Sequence, residues 1–330
     1  MKIGLLEKFI EIKHSDYNYL TDYFQFDYNE EIKKFYDISS SDWLEKGQAK
    51  YLLLFHQMAE RVPAYTDFLK KNKINHKSIK SWSDLGGVPT IDKENYLRAY
   101  PITDLCWPDS FQKQHMISVS SGSSGDPFFW PRSSWHEFEA TFTHELLIRN
   151  FFDCHKKNTL FIVSFAMGMY VAGVLTQNSL QHIAEKGLPL TVVSPGINIQ
   201  ENVRIIKELG RFYDQIVLAG YPPLVKDVLD FGVQQGIVWE KLPMKFIFAG
   251  EGFSENWRKI VLEKVGTTDI KSSFSIYGSA DANMLAFETP LTIKIRQLIN
   301  NEHDLYKNFY DEQQRVPGIF QYNPLSRYFE

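Results

Sequence analysis

Four serine hydroxyls and two glycines crowd into Ser120-Ser121-Gly122-Ser123-Ser124-Gly125-Asp126-Pro127. A turn of this composition offers backbone N–H groups and hydroxyls to a polyanion. The spacing is not GxxxxGK[ST], and no GxGxxG occurs, so neither a Walker loop nor a dinucleotide fingerprint is supported. Serine-glycine runs also serve as linkers, but this one lies between apolar, structured segments, which argues against a floppy tether. Three further turns, Ala219-Gly220-Tyr221-Pro222, Ala249-Gly250-Glu251-Gly252 and Tyr277-Gly278-Ser279-Ala280-Asp281, carry glycines that let a flat ring or a phosphate approach the backbone closely. Their plainer reading is as connections between strand and helix, but the three turns share one register, which favours a binding edge. His136 and His144 sit beside Glu137 and Glu145 without HExxH spacing, and there is no GxSxG elbow. Neither zinc nor serine-hydrolase chemistry is indicated.

The elements that must hold these turns follow from the hydrophobic pattern. Up to about Pro101 the chain is helical in flavour: Tyr51, Leu52, Phe55, His56, Ala59 and Val62 recur at helical spacing until Pro63 ends the run. After the serine-glycine cluster, Ser134 and Glu137 form a capping box ahead of Phe138, Phe142 and Leu146. Strand-like runs then appear at Leu160–Phe165, Leu190–Val193, Gln215–Leu218, Lys245–Phe248 and Ser273–Ile276. Crossover helices are expected at Asn202–Leu209, Leu224–Phe231 and Glu255–Val265, the last capped by Ser254 and stopped by Gly266. Strands alternating with helices predict an α/β fold with a mainly parallel sheet flanked by helices. The expected division is a helical N-terminal segment over 1–117, packed on an α/β nucleotide-binding body over 118–330. In such a sheet the three glycine turns gather outside the carboxyl ends of the strands, where ligands bind.

Composition narrows the function classes. Hydrophobic residues make up 44% and aromatics 15% of 330 residues, enough burial to exclude a disordered chain. With 36 Lys+Arg against 40 Asp+Glu, the formal net charge of -4 gives no field for attracting nucleic-acid phosphates, so no nucleic-acid partner is expected. Cys106 and Cys154 alone make neither a disulfide framework nor a zinc site, which fits a reducing cytoplasm. Glu7 interrupts any early apolar stretch, so no signal peptide is indicated. Thr159–Leu175 is nearly uncharged but just under the length of a membrane span, and reads better as a buried strand followed by a helix. No membrane partner is expected.

Val119-Ser120-Ser121-Gly122-Ser123-Ser124-Gly125-Asp126-Pro127 resembles the phosphate loop of the adenylate-forming superfamily, written SSGTTGKP in phenylacetate-CoA ligases. Arg61-Val62-Pro63-Ala64-Tyr65, Val88-Pro89-Thr90-Ile91-Asp92-Lys93 and Ala99-Tyr100-Pro101 resemble the helical prelude of that branch. Ala249-Gly250-Glu251-Gly252-Phe253-Ser254 is similar to its GAEPWS turn, and Tyr277-Gly278-Ser279-Ala280-Asp281 to its YG-x-[ST]-E motif. The resemblance implies ATP-dependent adenylation of a small carboxylic acid, giving acyl-AMP and pyrophosphate, with coenzyme A or a carrier-protein thiol as acceptor. By the same resemblance Ser120, Ser121, Gly122, Ser123, Ser124 and Gly125 hold the phosphates. Gly250, Glu251, Gly252, Tyr277, Gly278 and Ser279 then surround the adenine, with Tyr277 stacked on it. Phe165, Ala166, Gly168, Met169 and Tyr221 line the acyl pocket, and Asp281 binds Mg²⁺. Read without the family, Tyr277 is a core tyrosine, Asp281 a solvated loop residue, and the acyl-pocket set a core stripe.

The pattern also departs from the family. Asp126 stands where a lysine is common, which should weaken anion binding. Ala280 replaces the usual Ser/Thr, and Asp281 is one methylene shorter than Glu. The segment Leu325-Ser326-Arg327-Tyr328-Phe329-Glu330 reads as a final strand. The family's ribose-binding Asp, hinge and small C-terminal domain with its catalytic lysine are not expected in this chain. The sequence then belongs to a fragment or a shortened relative, working with a separate C-terminal domain or carrier protein, or it is a non-catalytic nucleotide- or acyl-binding module.

Overall fold

The computed structural model describes residues 18–108, 110–113, 116–120, 126–302, 306–307 and 316–329. The described residues form two compact units, one drawn from 1–116, 131–135 and 323–330, the other from 117–130 and 136–322.

The first unit is helical. Helix Ser40–Arg61 is capped by Ser39, whose Oγ accepts from the Asp42 N–H, and it ends before Val62. Pro63 then occupies the first turn of the next helix, Pro63–Lys71, where its missing N–H costs nothing. Phe55, Tyr65, Phe68, Leu69 and Tyr96 pack together as an aromatic-rich core. The expected strand at the chain's end does not form. Asn323 instead makes a turn, its Oδ1 accepting from the Leu325 N–H at 3.0 Å and its carbonyl from Ser326 and Arg327 at 2.9 Å. Local side-chain hydrogen bonding of this kind competes with a ladder. Leu325 is buried, its carbonyl accepts from Lys50 Nζ at 2.7 Å, and Tyr328 packs on Trp82.

The second unit is the α/β body, bordered by the paired strands β1 (Met116–Val119) and β2 (Phe129–Arg132). Its six-stranded sheet contains β3 (Thr159–Ser164), β4 (Leu190–Val193), β5 (Gln215–Gly220), β6 (Met244–Ala249), β7 (Ser273–Ser279) and β8 (Asn283–Phe287). The order is β4-β3-β5-β6-β7-β8, parallel throughout except for β8, which runs antiparallel to β7. All six residues of β3 and of β5 are buried, as parallel strands covered on both faces must be. The five predicted strands are therefore present, and β8 is additional.

Helices Ile199–Leu209, Pro222–Gln234 and Glu255–Lys264 supply crossovers. Val203, Ile206, Val225, Val228 and Leu229 pack with Leu160, Ile216, Leu218 and Phe246 in the main core. Ser254 Oγ accepts from the Trp257 N–H at 3.2 Å, and Gly266 takes the left-handed conformation with φ of 73° just past the end. The Thr159–Leu175 stretch splits into β3 and the start of helix Val171–Glu185. No helix among the described residues is long and apolar enough to cross a membrane.

Candidate functional site

Strand register aligns the glycine turns. Ser164 pairs with Gly220, Gly220 with Phe248 and Phe248 with Ser275, so one line crosses four parallel strands just before their carboxyl ends. Phe165, Tyr221, Ala249 and Ile276 come immediately after that line, and Gly250 and Tyr277 one residue later. The expected edge is present, because a parallel sheet delivers every strand-to-helix turn to the same side.

A cavity of ≈ 260 Å³ opens at this edge beyond β6 and β7. Gly250, Glu251, Gly252 and Phe253 form one wall, and Ser275, Ile276, Tyr277 and Gly278 another. Gly318 and Phe320 add a third, with Glu288 and Arg296 also lining it. Of the six residues that the resemblance assigns to adenine, five line this space. Ser279 does not: it pairs with Asn283 in the β7–β8 hairpin, and its Oγ accepts from the Ala282 N–H. Tyr277 is 49% exposed and is not a core tyrosine; its ring lies against that of Phe320, with centroids 5.7 Å apart and a tilt of 31°.

Beneath the cavity lies a buried ion network. Arg258 reaches Glu255 at 3.0 Å and Glu288 at 2.6 Å, and Arg296 reaches Glu255 at 2.9 Å. Glu288 Oε2 also accepts from the Ser275 N–H at 2.7 Å. Arg296 donates to the carbonyls of Phe253 and Val316. Two guanidiniums facing two carboxylates make the cluster neutral in total, the condition under which charges tolerate burial.

On the β3 and β5 side, Phe165 and Tyr221 meet edge to face at 5.2 Å, and the Tyr221 ring lies directly against Gly250. Burial pushes the Tyr221 phenol up, while a hydrogen bond from the Ala166 backbone opposes it. Phe165, Ala166 and Tyr221 are thus brought together beside the cavity wall. Gly168 and Met169 lie farther along the same turn and are exposed, Gly168 with φ of 80°. The Met169 carbonyl accepts from the Val119 N–H at 3.0 Å, and Val119 bridges Tyr170 in parallel register. This bridge ties the start of the serine-glycine loop to the turn that follows β3.

Only the base of that loop is described. The Ser120 N–H donates to the Phe128 carbonyl at 3.2 Å, and the Phe128 N–H donates back to Ser120 Oγ at 3.0 Å, closing the loop at its neck. Ser121, Gly122, Ser123, Ser124 and Gly125 lie outside the described residues. Asp281 is exposed in the turn between β7 and β8. Among the described residues no group of three or more His, Cys, Asp or Glu side chains could hold a metal ion. One exposed carboxylate fits Mg²⁺ held mainly by phosphate oxygens and water, and does not fit a dedicated protein cage.

Sequence reasoning missed Phe253, Ser275, Ile276, Glu288, Arg296, Gly318 and Phe320 as cavity residues. Glu288 directly follows β8 and Arg296 lies in helix Pro290–Asn301, neither of which it identified. The signal for the helix was present: Thr289 and Thr292 form a reciprocal cap, Pro290 sits in the first turn, and Ile293, Arg296 and Ile299 recur at i, i+3 and i+6.

No protein-family model matches the chain, and a search of curated proteins finds no match. Solved structures do match. 2-Hydroxyisobutyryl-CoA ligase in its thioesterification state, complexed with 2-HIB-AMP and CoA, superposes with a TM-score of 0.62 at 14% identity, over 76% of this chain and 52% of that one. An open conformation of the same ligase, also with 2-HIB-AMP and CoA, gives 0.58 at 14% identity over 75% and 59%. Its postadenylation state with 2-HIB-AMP gives 0.57 at 14% identity over 75% and 54%. The chain thus spans between about half and three-fifths of the length of these ligases. The likeness is one of architecture: the chain shares its fold with these acyl-CoA ligases.

Proposed function

We propose that this chain binds an adenine nucleotide and a small carboxylic acid, and carries the body of an ATP-dependent adenylation site of the phenylacetate-CoA ligase type. The observation that carries the reading is the cavity beyond β6 and β7, where five of the six adenine-assigned residues meet. The acyl-CoA ligase fold, in structures that hold an acyl-adenylate, supports it.

In the reaction a carboxylate oxygen attacks the α-phosphorus of ATP. A new P–O bond forms, the bond to the β-phosphate breaks, and pyrophosphate leaves with the electron pair. Little covalent work falls to the protein, so positioning and charge control dominate. Tyr277 offers a ring face to the base, and the Gly250–Gly252 turn lets it approach the backbone. The neck at Ser120 and Phe128 aims the serine-glycine loop, whose N–H groups and hydroxyls are donors for phosphate oxygens. Phe165, Ala166 and Tyr221 provide an apolar surface for an aromatic or aliphatic acid. Mg²⁺, when bound, neutralises phosphate charge, with Asp281 as its carboxylate from this chain. Coenzyme A or a carrier-protein thiol then accepts the acyl group.

The test is ATP–pyrophosphate exchange across a panel of aryl and alkyl acids, alongside calorimetry with Mg²⁺-ATP and AMP. Acid-dependent exchange supports adenylation. Nucleotide binding without exchange for any acid favours a binding module, and binding of neither nucleotide by folded protein overturns the proposal.

A further inference from the structure

The buried ion network ends on the backbone of all three cavity walls. Arg296 donates to the Phe253 carbonyl of the glycine turn and, at 3.3 Å, to the Val316 carbonyl at the start of the segment carrying Gly318 and Phe320. Glu288 accepts from the Ser275 N–H in β7. Glu255 and Arg258 join these ends into one cluster, Arg258 contacting both carboxylates. At its far end the third wall is fastened by Gln321, which exchanges hydrogen bonds with Phe287 of β8 at 2.8 and 3.0 Å.

Stability alone is a poor reason for such a cluster, because well-packed apolar side chains often replace buried ion sets without loss. What apolar side chains cannot do is hold two carbonyls from separate segments at a fixed spacing. A planar guanidinium with five donors can. The wall so held carries Phe320, whose ring lies 5.7 Å from that of Tyr277. A flat base between two rings needs about 7 Å, twice the normal carbon contact distance. Phe320 therefore backs Tyr277 and does not sandwich a base with it.

We infer that Arg296 is a positioning residue for the nucleotide cavity: by tying Phe253 to Val316 it fixes the spacing of the glycine turn and the Phe320 wall, and through Phe320 the attitude of the Tyr277 ring. The inference rests on the proposed nucleotide-binding role of this cavity. Arg296 lines the cavity with its donors turned to Glu255, Phe253 and Val316, so as a positioning residue it contributes equally to every ligand carrying adenine, whatever its phosphate charge.

Calorimetry of wild type and Arg296→Lys with adenosine, AMP and Mg²⁺-ATP tests this, with Leu69→Ala as a destabilised control in the separate core of the helical unit. Lysine keeps the charge but has a single nitrogen, which cannot stand both where Nη2 holds the two carbonyls and where Nη1 meets Glu255. Arg296→Lys should weaken all three ligands by a common factor of about tenfold or more, since small misplacements of a binding group carry penalties of that order. The control should melt earlier and bind as wild type. Folded Arg296→Lys that binds adenosine within about twofold of wild type, or loses only ATP, overturns the inference while leaving the proposed function standing. Wild type that binds none of the three overturns both. Should Arg296→Lys not fold, amide hydrogen exchange on wild type with AMP decides. Protection should rise together at Phe253, Ser275 and Gln321, and protection confined to one wall contradicts the tie.

Discussion

A Cβ placed on Gly250 would stand 2.5 Å from the ring of Tyr221, and Gly250 itself has φ of 86°. Two independent constraints therefore demand glycine at the corner where the Tyr221 ring meets the cavity wall. Gly250→Ala should destabilise the fold by about 1–3 kcal/mol, from left-handed strain and the displaced ring together. In a Tyr221→Ala background the cost should fall but not vanish, because only the steric part is relieved. Urea unfolding of the four proteins checks this, and equal costs in both backgrounds would show that the ring is not the obstacle.

His144 gives a pH signature that owes nothing to the cavity. Burial pulls its imidazole down from 6.5 to about 4, against an opposing hydrogen bond between Nδ1 and the Ala140 carbonyl at 2.7 Å. The folded protein therefore favours the neutral ring. The associated stability is fully present above the unfolded value of 6.5 and is lost as pH falls through about 4. The loss across that window should be about 3 kcal/mol. His144→Gln should flatten the stability profile between pH 6.5 and 4 by that amount, measured by urea melts, and parallel profiles would contradict the assignment.

How much of this was legible beforehand depends on the range of the interaction. The strands β3 to β7 were readable because each is an apolar run bounded by turn residues, and helix Glu255–Lys264 because Ser254 and Gly266 mark its ends. Parallel order then placed Gly250 and Tyr277 on one edge. The hairpin strand β8 was missed, since Asn283–Phe287 is short and has no clean alternation of burial. With it went Glu288 and the helix bearing Arg296, whose partners Phe253 and Val316 lie 43 and 20 residues away. No local pattern encodes such a contact. The terminal segment failed in the other direction: its aromatic residues looked strand-like, while Asn323 had already diverted the backbone into a turn.

Charge at the loop supplies a third prediction. Asp126 is exposed immediately after the serine-glycine cluster. If that cluster faces the β- and γ-phosphates, Asp126→Lys should tighten Mg²⁺-ATP by several-fold to about tenfold at low salt and AMP by much less, the difference shrinking as salt screens it. Titrations at two ionic strengths measure this. Equal gains for ATP and AMP would place Asp126 away from the terminal phosphates.

The central claim is that the cavity beside Tyr277 takes adenine, and Tyr277→Ala tests it most directly. The side chain is 49% exposed and touches Phe320, so its removal should shift stability by no more than about 0.5 kcal/mol. Loss of a stacking face should nevertheless weaken AMP and adenosine by about 1–3 kcal/mol. Calorimetry on wild type and variant, each shown by melting to be folded, gives the answer in one comparison. The account predicts unchanged melting with adenosine affinity lowered by about fivefold or more; unchanged melting with unchanged affinity would contradict it.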